Sequence, residues 1–267
     1  MKRNKLRAAM REGRPIAGMV AFTRSPAVVE VIGYSGFDFI FIDTEHTPLA
    51  SGADLEHMIL AADAAGLSVV VRLKGNDENQ IRNALECGAE GVIIPRLKTR
   101  AEAEQALSAA RFPPLGERGS ATEVRAASYG TGDFDWVEYV KRCNEDTVVI
   151  GLAEDKVFFD NIDDIMSVDG LDMICFGPTD LAMSLGLPLV YDMEAPPIQE
   201  AFQTLLAKAR QYNTSVMSLV IPPTLEEARK LYEQGVNAVL LRSDIGILQA
   251  TCRQIMDEVV KPLRAGA

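Results

Sequence analysis

The sequence has few of the residues that build disulfide or zinc frameworks. Its four cysteines, Cys87, Cys143, Cys175 and Cys252, are widely separated and form no CxxC pair, and the 267 residues include only two histidines. Disulfide scaffolds and structural zinc sites need clustered or regularly spaced cysteine and histidine residues. The cysteines are therefore interpreted as small apolar residues of a protein in a reducing compartment.

Positive charge is also in short supply. The chain carries 27 Lys and Arg residues against 38 Asp and Glu residues, which gives a formal net charge of -11. Nucleic acids and anionic membranes are bound mainly through an excess of Lys and Arg, so neither is expected as the main partner. A small anionic substrate held by one or two local arginines is compatible with this charge balance.

Long hydrophobic runs are missing as well. No uninterrupted apolar run approaches 18 residues, and the basic N-terminal stretch MKRNKLRAAMREGRP has no apolar core of signal-peptide length. Membrane-spanning helices and secretory signals both require such runs. We therefore expect a cytoplasmic protein.

The hydrophobic residues, 48% of the chain, fall in short runs that alternate with helix-period segments. This alternation is typical of βαβ units around a parallel sheet. Four runs share one template, in which a glycine is followed by a mostly apolar run and a special residue stands seven positions after the glycine. These runs are residues 36–43, 88–95, 170–177 and 235–242. The glycine suits a helix end, and the apolar run suits a strand that is covered on both faces.

Four further candidate strands alternate with these runs, namely residues 16–22, 68–72, 148–153 and 215–220. Helical segments fit between the strands, for example residues 54–65, 78–87, 100–110, 197–212 and 224–234. Eight such units in about 250 residues are the size of a (β/α)8 TIM barrel. The sequence therefore predicts a single α/β domain of this kind over residues 1–267. An open doubly wound sheet is the alternative, although no glycine-rich nucleotide loop follows the first strand.

Three segments depart from the regular alternation. Residues 112–132 are rich in Gly, Ser and Pro and contain Arg118, which is typical of a functional or mobile loop. A second insertion, residues 185–197, follows the sixth strand. The last stretch, about residues 245–263, is amphipathic and is predicted either to be the eighth helix or to pack on a neighbouring subunit.

Two predicted strands end close to a carboxylate. Glu154 closes the apolar run 148–153, and Asp180 follows the run 173–176 after Gly177 and Pro178. Burying an unpaired carboxylate costs several kcal/mol unless a cation or a hydrogen-bond donor meets it. Acids at the same end of neighbouring strands suit a hard divalent metal ion, so Glu154 and Asp180 are predicted metal ligands. The alternative is that Glu154 caps a helix and Asp180 lies in the first turn of another.

Ionisable residues also follow the second and third predicted strands. Asp43 and His46 come after the second strand, and Arg72 ends the third. A histidine in that position can transfer protons near neutral pH, and a guanidinium offers paired donors to a carboxylate or an enolate oxygen. The structural alternatives are a loop histidine bonded to backbone and an ion pair of Arg72 with Glu86 or Asp43.

The motifs together resemble one protein family. The chain has D-x-E-H at residues 43–46, arginine at position 72, N-D-x-x-Q-I-x-x-x-L-x-x-G-A at residues 76–89, F-P-P-x-G-x-R-G at residues 112–119, and G-P-x-D-L at residues 177–181. With the acid at position 154, this combination resembles the HpcH/HpaI family of metal-dependent pyruvate aldolases over about residues 18–248. The pair F-P-P-x-G-x-R-G and G-P-x-D-L is more specific than either motif alone.

The resemblance implies a site, a cofactor and an assembly. Glu154 and Asp180 would bind Mg2+ or Mn2+, Arg72 would stabilise a pyruvate enolate, and His46 with Asp43 would transfer protons. Glu86 matches a supporting acid, Pro178 and Thr179 with Gly177 match the segment that meets the pyruvate carboxylate, and Arg118 matches the arginine of the R-G loop. The family also implies a homo-oligomer, commonly a hexamer, whose last helix is exchanged between subunits. The expected substrates are a 2-oxo acid and an aldehyde or oxo-acid partner.

The sequence departs from the family pattern where substrates differ. The family often has Q-x-E at the end of the fifth strand, whereas this chain has Leu152 two residues before Glu154. The expected reaction is cleavage or formation of a carbon–carbon bond in a 4-hydroxy-2-oxo acid. One alternative is a citrate-forming or citramalyl-type enzyme that uses oxaloacetate or an acyl-CoA thioester. A second alternative, of another class, is a barrel that has lost catalysis and acts as a binding protein.

Overall fold

A computed structural model describes residues 4–49, 52–188 and 192–265 of the chain. Within these residues, eight parallel strands close into a barrel in which each strand pairs with its neighbours in sequence and β8 pairs with β1. The strands are β1 Ile16–Ala21, β2 Phe39–Asp43, β3 Ser68–Arg72, β4 Gly91–Ile94, β5 Val148–Ala153, β6 Met173–Phe176, β7 Ser215–Leu219 and β8 Ala238–Ser243. The predicted α/β (β/α)8 TIM barrel is therefore confirmed, and every predicted strand is present.

Helices connect the strands and cover the outside of the barrel. They are α1 Lys5–Glu12, α2 Pro26–Tyr34, α3 Ala53–Ala64, α4 Glu78–Glu86, α5 Arg100–Ala110, α6 Trp136–Asp146, α7 Lys156–Asp160, α8 Ile162–Met166, α9 Pro178–Ser184, α10 Pro196–Tyr212, α11 Leu225–Gln234, α12 Asp244–Ile255 and α13 Lys261–Ala265. The five helices predicted by example agree to within one residue at either end. Residues 185–197, the second predicted insertion, lie partly outside the described residues.

The helix ends follow local sequence signals. Thr99 begins α5 with a capping box, in which its hydroxyl accepts the Glu102 N–H while the Glu102 carboxylate accepts the Thr99 N–H. Asp77 caps α4 by accepting the N–H of Gln80 at 2.9 Å. Such caps satisfy backbone donors that have no partner within the helix, and each contributes about 1 kcal/mol.

The inside of the barrel is a packed apolar core. Side chains at alternate positions of the strands point inward, and they include Val20, Phe39, Phe41, Val70 and Ile150. Gly18 makes room for the Phe39 ring, because a Cβ at position 18 would lie 2.6 Å from it. Helix α1 packs Leu6 and Ala9, both buried, against this core, so α1 closes the amino-terminal end of the barrel.

A second, smaller core forms beside the barrel between residues 112 and 143. The rings of Trp136 and Tyr139 contact each other and the rings of Phe112 and Phe134, with ring centroids 5.5–6.2 Å apart. The insertion predicted as a loop is thus tied to α6 by aromatic packing, and it contains a 3-10 turn at Arg125–Gly130.

Among the described residues, no helix has the length and apolar content needed to span a membrane.

The C-terminal segment forms one long helical stretch that projects from the barrel. Helix α12 continues through a π-helical turn, Met256–Val260, into α13, and none of these residues is buried. The start of α12 is held by Asp244, whose carboxylate accepts the backbone N–H groups of Phe22 and Thr23 at 2.9 Å each. Along the rest of the stretch, Ile247, Leu248 and Ile255 are exposed.

Candidate active site

At the carboxyl ends of three strands, an inward-pointing polar residue follows an inward-pointing apolar residue two positions earlier in the chain. Asp43 follows Phe41, Arg72 follows Val70, and Glu154 follows Leu152, and each of the three apolar residues belongs to the inner core. Because strand side chains alternate between faces, the polar residue two positions later shares the inward face. The barrel therefore brings Asp43, Arg72 and Glu154 to one mouth, as the sequence predicts.

Glu154 is the most unusual acid of this mouth. Its side chain is buried, with 4% of the residue exposed, and one oxygen accepts the backbone N–H of Arg96 at 2.7 Å. Burial raises the pKa of the Glu154 carboxyl to about 7; the bond from Arg96 and the charge of Arg72 oppose this rise, and Asp180 and Glu45 add to it. Glu154 does not cap a helix, because the neighbouring Asp155 caps α7. The charged form of an acid that is buried beside other acids is stabilised when a cation binds next to it.

Asp180 lies next to Glu154 across the β5–β6 pair. Ala153 pairs with Phe176, and the Gly177 N–H donates to the Ala153 carbonyl at 3.0 Å, so the segments after the two strands start side by side. Asp180 falls in the first turn of α9, as the structural alternative expected, and it also acts electrostatically on Glu154. The position of Asp180 in the first turn of α9 is therefore compatible with its predicted role as a metal ligand.

The segment Gly177 to Thr179 differs from the predicted loop because α9 begins at Pro178. The first N–H groups of a helix have no acceptor within it and are free for an anion. Proline has no N–H, so Pro178 cannot donate to a substrate carboxylate. The backbone donors at this position belong to Thr179 and Asp180. Because Gly177 has no side chain, its backbone can lie close to Glu154.

Arg72 is fixed by two carboxylates. One terminal nitrogen hydrogen-bonds to Asp43, which is fully buried, and the other lies 3.5 Å from Glu45. The register of the barrel sets the first contact, because Asp43 and Arg72 are paired positions of β2 and β3. The buried Nε of Arg72 has no hydrogen-bond partner within the described parts of the chain. Arg72 therefore combines an ion pair with Asp43, one of the structural alternatives, with a donor left over for a ligand.

His46 stands at the edge of the site. Its backbone N–H donates to Asp43 at 2.8 Å, so Asp43 orients the turn and not the imidazole directly. The imidazole Nε2 lies 3.6 Å from Glu45, and the side chain is about half exposed. A histidine in this position can exchange protons with solvent and with a ligand in the mouth.

Two further residues belong to this mouth: Glu45, which the sequence suggested only as a neighbour that orients or charges His46, and Arg96, which was not predicted. Glu45 contacts both Arg72 and His46, and its buried Oε2 accepts no hydrogen bond from the residues described. Arg96 supplies the N–H on Glu154. Glu45 belongs to the D-x-E-H motif, and Arg96 directly follows Pro95, the special residue of the second template run. The charged residues that follow each predicted strand include both positions, but this order does not predict that Arg96 contacts Glu154 through its backbone N–H.

Two predicted site residues lie at the other end of the barrel. Glu86 is the last residue of α4, which runs from the mouth back to the base, and Arg118 lines a cavity beside the amino ends of β4 and β5 with Asn4 and Thr147. The Arg118 guanidinium is buried and stacks 4.6 Å from the centre of the Phe112 ring. The structure therefore brings neither residue to the mouth of its own chain, and their roles stay predictions.

The residues of the mouth fit a divalent metal ion with an incomplete protein ligand set. Within residues 4–49, 52–188 and 192–265, no group of three or more His, Cys, Asp or Glu side chains is arranged to hold a metal ion. Mg2+ commonly uses one or two carboxylates and takes its remaining ligands from water and substrate oxygens. Glu154 and Asp180 would supply the carboxylates, and the raised pKa of Glu154 shows that a positive charge there would be favourable.

Gly177 is required for the position of Glu154, which gives a first prediction. A Cβ at position 177 would lie 2.7 Å from the Glu154 Cβ, an atom fixed to the backbone. We expect Gly177→Ala to displace Glu154 and lower kcat/KM by about 100-fold, since a shift of about 1 Å in a catalytic group has that effect. Steady-state kinetics measures the loss, and circular dichroism checks the fold. Gly119→Ala is the control, because its Cβ would make only an ordinary 3.6 Å contact with Arg82. Equal activities of the two variants would contradict the prediction.

Comparison with known proteins identifies the family of this chain. The sequence model of the HpcH/HpaI aldolase/citrate lyase family matches residues 17–249. A 5-keto-4-deoxy-D-glucarate aldolase from Salmonella paratyphi C is 30% identical over 258 residues, 97% of each chain. Among solved structures, a family protein from Burkholderia cenocepacia J2315 has a TM-score of 0.86 and 30% identity, covering 96% of this chain and 99% of its own. The citrate synthase SbnG has a TM-score of 0.85 and 29% identity over 99% of both chains. The chain therefore belongs to the HpcH/HpaI aldolase/citrate lyase family.

Proposed function

We propose that the protein is a divalent-metal-dependent aldolase that makes or cleaves a carbon–carbon bond of a 4-hydroxy-2-oxo acid through a pyruvate enolate. The observation that carries the proposal is the buried acid Glu154, with its raised pKa, which interacts electrostatically with both Asp180 and Arg72. Membership in a family of carbon–carbon lyases supports the reaction type. The 5-keto-4-deoxy-D-glucarate aldolase relative supports an oxo acid as substrate.

The cofactor proposed for this site is Mg2+ or Mn2+, held by Glu154 and Asp180. When bound, such an ion supplies Lewis-acid polarisation of the carboxylate and ketone oxygens of the 2-oxo acid. The chain itself supplies the remaining groups. The N–H groups at the start of α9 donate to the substrate carboxylate, and the buried apolar lining, which includes Leu152, limits water at the reacting carbon.

Arg72 and His46 perform the charge and proton steps in this proposal. As the carbon–carbon bond breaks, negative charge grows on the ketone oxygen, and the Arg72 guanidinium, held in place by Asp43 and Glu45, donates to that oxygen. Preorganised donors of this kind contribute about 100- to 1,000-fold in rate. His46 takes the proton of the 4-hydroxyl group, and the neighbouring Glu45 carboxylate stabilises the imidazolium that forms.

The proposal is tested by the half-reaction that needs no second substrate. We expect the protein with Mg2+ or Mn2+ to exchange the methyl protons of pyruvate for deuterium in D2O, followed by NMR, because enolate formation labilises them. EDTA should stop the exchange, and added metal should restore it. Exchange that persists in EDTA would contradict the metal role, and no exchange with any divalent metal would favour a non-catalytic binding protein.

A citrate-forming reaction is the second candidate. It is favoured by the similarity to the citrate synthase SbnG over 99% of both chains and by Leu152, which stands where the aldolases of the family often have glutamine. Leu152 is buried at the inner face of β5 and offers no hydrogen bond to a substrate. Product analysis with pyruvate plus aldehydes against oxaloacetate plus acetyl-CoA separates the two reactions.

We further propose that the protein assembles into a homo-oligomer, a hexamer by family resemblance, through its C-terminal helices. Helix α12 and its continuation have no buried residue within one chain, although Ile245, Ile247, Leu248, Ile255, Val259 and Leu263 are apolar and exposed. Exposed apolar residues concentrated in one helical stretch in this way indicate an interaction site. A second copy of the chain would bury it if the helix packs on a neighbouring barrel.

A further inference from the structure

The turn that follows β4 brings a backbone donor to the buried acid of the mouth. It contains Pro95 and Arg96, and the Arg96 N–H donates to Glu154 Oε1 at 2.7 Å. Within residues 4–49, 52–188 and 192–265, no other donor makes a hydrogen bond to the Glu154 carboxylate. Partners of this kind orient the carboxylates of metal sites, so the direction of this acid depends on the Arg96 N–H.

The same bond determines which oxygen of Glu154 remains for a ligand. Oε1 accepts the Arg96 N–H, whereas Oε2 lies on the side of Gly177, where a Cβ would stand 3.3 Å from it. Gly177 leads into the first turn of α9, which carries Asp180. Oε2 is therefore the oxygen on the side of the second predicted metal ligand.

Arg96 makes this bond from an uncommon backbone conformation. Its φ of 50° lies in the left-handed region, which residues other than glycine rarely adopt. Such conformations persist only where the surrounding structure holds them, and they concentrate at functional sites. The side chain gives no reason for the strain, because the guanidinium is 71% exposed and its Nε lies 3.9 Å from Glu45. The position of the N–H is the feature that this conformation serves.

The chain is fixed directly before and after Arg96. Before it, the ring of Pro95 restricts the φ angle of that residue. After it, Leu97 is buried and packs on β5, because a Cβ at Gly151 would lie 2.7 Å from the Leu97 Cδ2 atom. Neither neighbour can move freely to relieve strain at position 96.

Lys98 fastens the same segment to the one that follows β5. Its ammonium pairs with Asp155 at 2.8 Å, and its carbonyl accepts the side-chain N–H of Asn161 at 2.9 Å. Asp155 is the residue after Glu154, so this contact holds the donor segment against the acceptor segment. Because the chain is held on both sides, a change of φ at residue 96 must turn the peptide unit that carries its N–H.

We propose that Arg96 is a positioning residue of the metal site, whose left-handed backbone holds Glu154 Oε1 and leaves Oε2 for a divalent cation, while its guanidinium is not required for metal binding. The inference rests on the proposed function and adds the element that orients its first ligand. Loss of a hydrogen-bond partner of a metal-binding side chain typically lowers metal affinity about 10- to 100-fold.

The test compares Arg96→Gly with Arg96→Val in the binding of Mn2+, measured by the EPR signal of the free ion. Both variants lack the guanidinium and keep the N–H, but glycine adopts the left-handed region readily, whereas a β-branched residue is a clear outlier there. We expect Arg96→Gly to bind Mn2+ within about threefold of wild type and Arg96→Val to bind it about tenfold or more weakly. Arg96→Asn should resemble the glycine variant, because asparagine is enriched in this region.

Asn213→Val is the matched control for backbone strain. Asn213 has a φ of 54° at the C-terminal end of α10, before the amino end of β7 and so at the opposite end of the barrel. This variant should unfold at a lower urea concentration than wild type and bind Mn2+ with unchanged affinity. If it binds Mn2+ as weakly as Arg96→Val, general loosening of the fold explains the loss and the positioning role is overturned.

The remaining outcomes separate this inference from the proposed function. If wild type, Arg96→Gly and Arg96→Val bind Mn2+ equally, the positioning role is overturned and the proposed function stands. Equal weakening in Arg96→Gly and Arg96→Val would assign the effect to the guanidinium and would also overturn it. If wild type binds no Mn2+ and exchanges no pyruvate protons, the proposed function fails and the inference fails with it.

Lys98→Met decides the question if Arg96→Val does not fold. The substitution removes the ion pair with Asp155, whose side chain is partly exposed, and keeps the length of the side chain. The segment can then relax from the left-handed conformation, so Mn2+ should bind about threefold or more weakly. An unchanged Mn2+ affinity in this variant would overturn the positioning role.

Discussion

Replacing Glu154 by glutamine is expected to lower the rate of pyruvate proton exchange by about 1,000-fold or more, because the loss of outer partners of a metal site already costs 10- to 100-fold. The same variant should be more stable than wild type when metal is removed at neutral pH. Glutamine keeps an oxygen for the Arg96 N–H and removes the buried charge. Exchange kinetics measures the first effect, and urea unfolding in EDTA measures the second.

The pH dependence of the second effect follows from the pKa of Glu154. The folded protein holds the proton up to a pKa of about 7, whereas the unfolded chain releases it near 4.5. Because the folded state binds more protons between these values, metal-free wild type loses stability as the pH rises from about 4.5 to 7 and keeps that loss above 7. The difference of about 2.5 pH units corresponds to about 3 kcal/mol. Glu154→Gln should lack this loss.

Asp180→Asn is the matched control for the stability effect. Asp180 is exposed, unlike Glu154, so its charge is mostly hydrated in the metal-free protein. We expect this variant to lose metal-dependent exchange but to gain much less stability in EDTA than Glu154→Gln, because it removes only the part of the raised Glu154 pKa that comes from Asp180. A Glu154→Gln variant that retains metal-dependent exchange, or that is no more stable than wild type in EDTA at pH 8, would contradict the assignment of Glu154.

Disrupting the C-terminal helix is expected to dissociate the assembly. The double substitution Ile247→Glu and Leu248→Glu places two charges on exposed apolar positions of α12. If these side chains are buried against a second copy, assembly of the variant would remove both charges from water without giving them a partner. The dissociation constant of the assembly should therefore be at least about 100-fold higher than that of wild type. Sedimentation velocity over a range of concentrations measures this, with 29.1 kDa as the mass of one chain.

Gln249→Glu is the control for the helix, because it adds a charge to an exposed polar position of the same helix. This variant should remain assembled. The interface proposal is wrong if wild type sediments as a single chain at micromolar concentration or if the double variant keeps the wild-type mass. Far-UV circular dichroism distinguishes dissociation from unfolding of the barrel.

The barrel could be predicted because its pattern is local. In the template runs 36–43 and 170–177, a glycine precedes four apolar or aromatic residues that fill a strand covered on both faces. Gly36 directly follows the end of α2, as predicted, whereas Gly170 lies three residues beyond the Ser167 cap of α8. The pair Asp43 and Arg72 also followed from strand order, since residues at the ends of adjacent parallel strands meet. Glu154 and Asp180 were placed together for the same reason.

The rest of the site depended on information that strand order does not contain. Arg96 reaches Glu154 through its backbone N–H, and the left-handed conformation that allows this leaves no sign in the residue type. Glu86 and Arg118 were placed by motif alone. The direction of α4 explains the position of Glu86. A helix that starts at the mouth of a barrel runs back to the base, so its last residue lies far from the mouth.

The closure of the barrel base by α1 has a kinetic consequence for the proposed reaction. Leu6 and Ala9 occupy the only other end of the inner core, so ligands enter and leave by the mouth. The 2-oxo acid would occupy the deeper position beside Glu154, and the aldehyde would sit above it. In synthesis, pyruvate would then bind before the aldehyde. In cleavage, the aldehyde would leave before pyruvate. The enolate would therefore be protonated after departure of the aldehyde has opened the site to solvent.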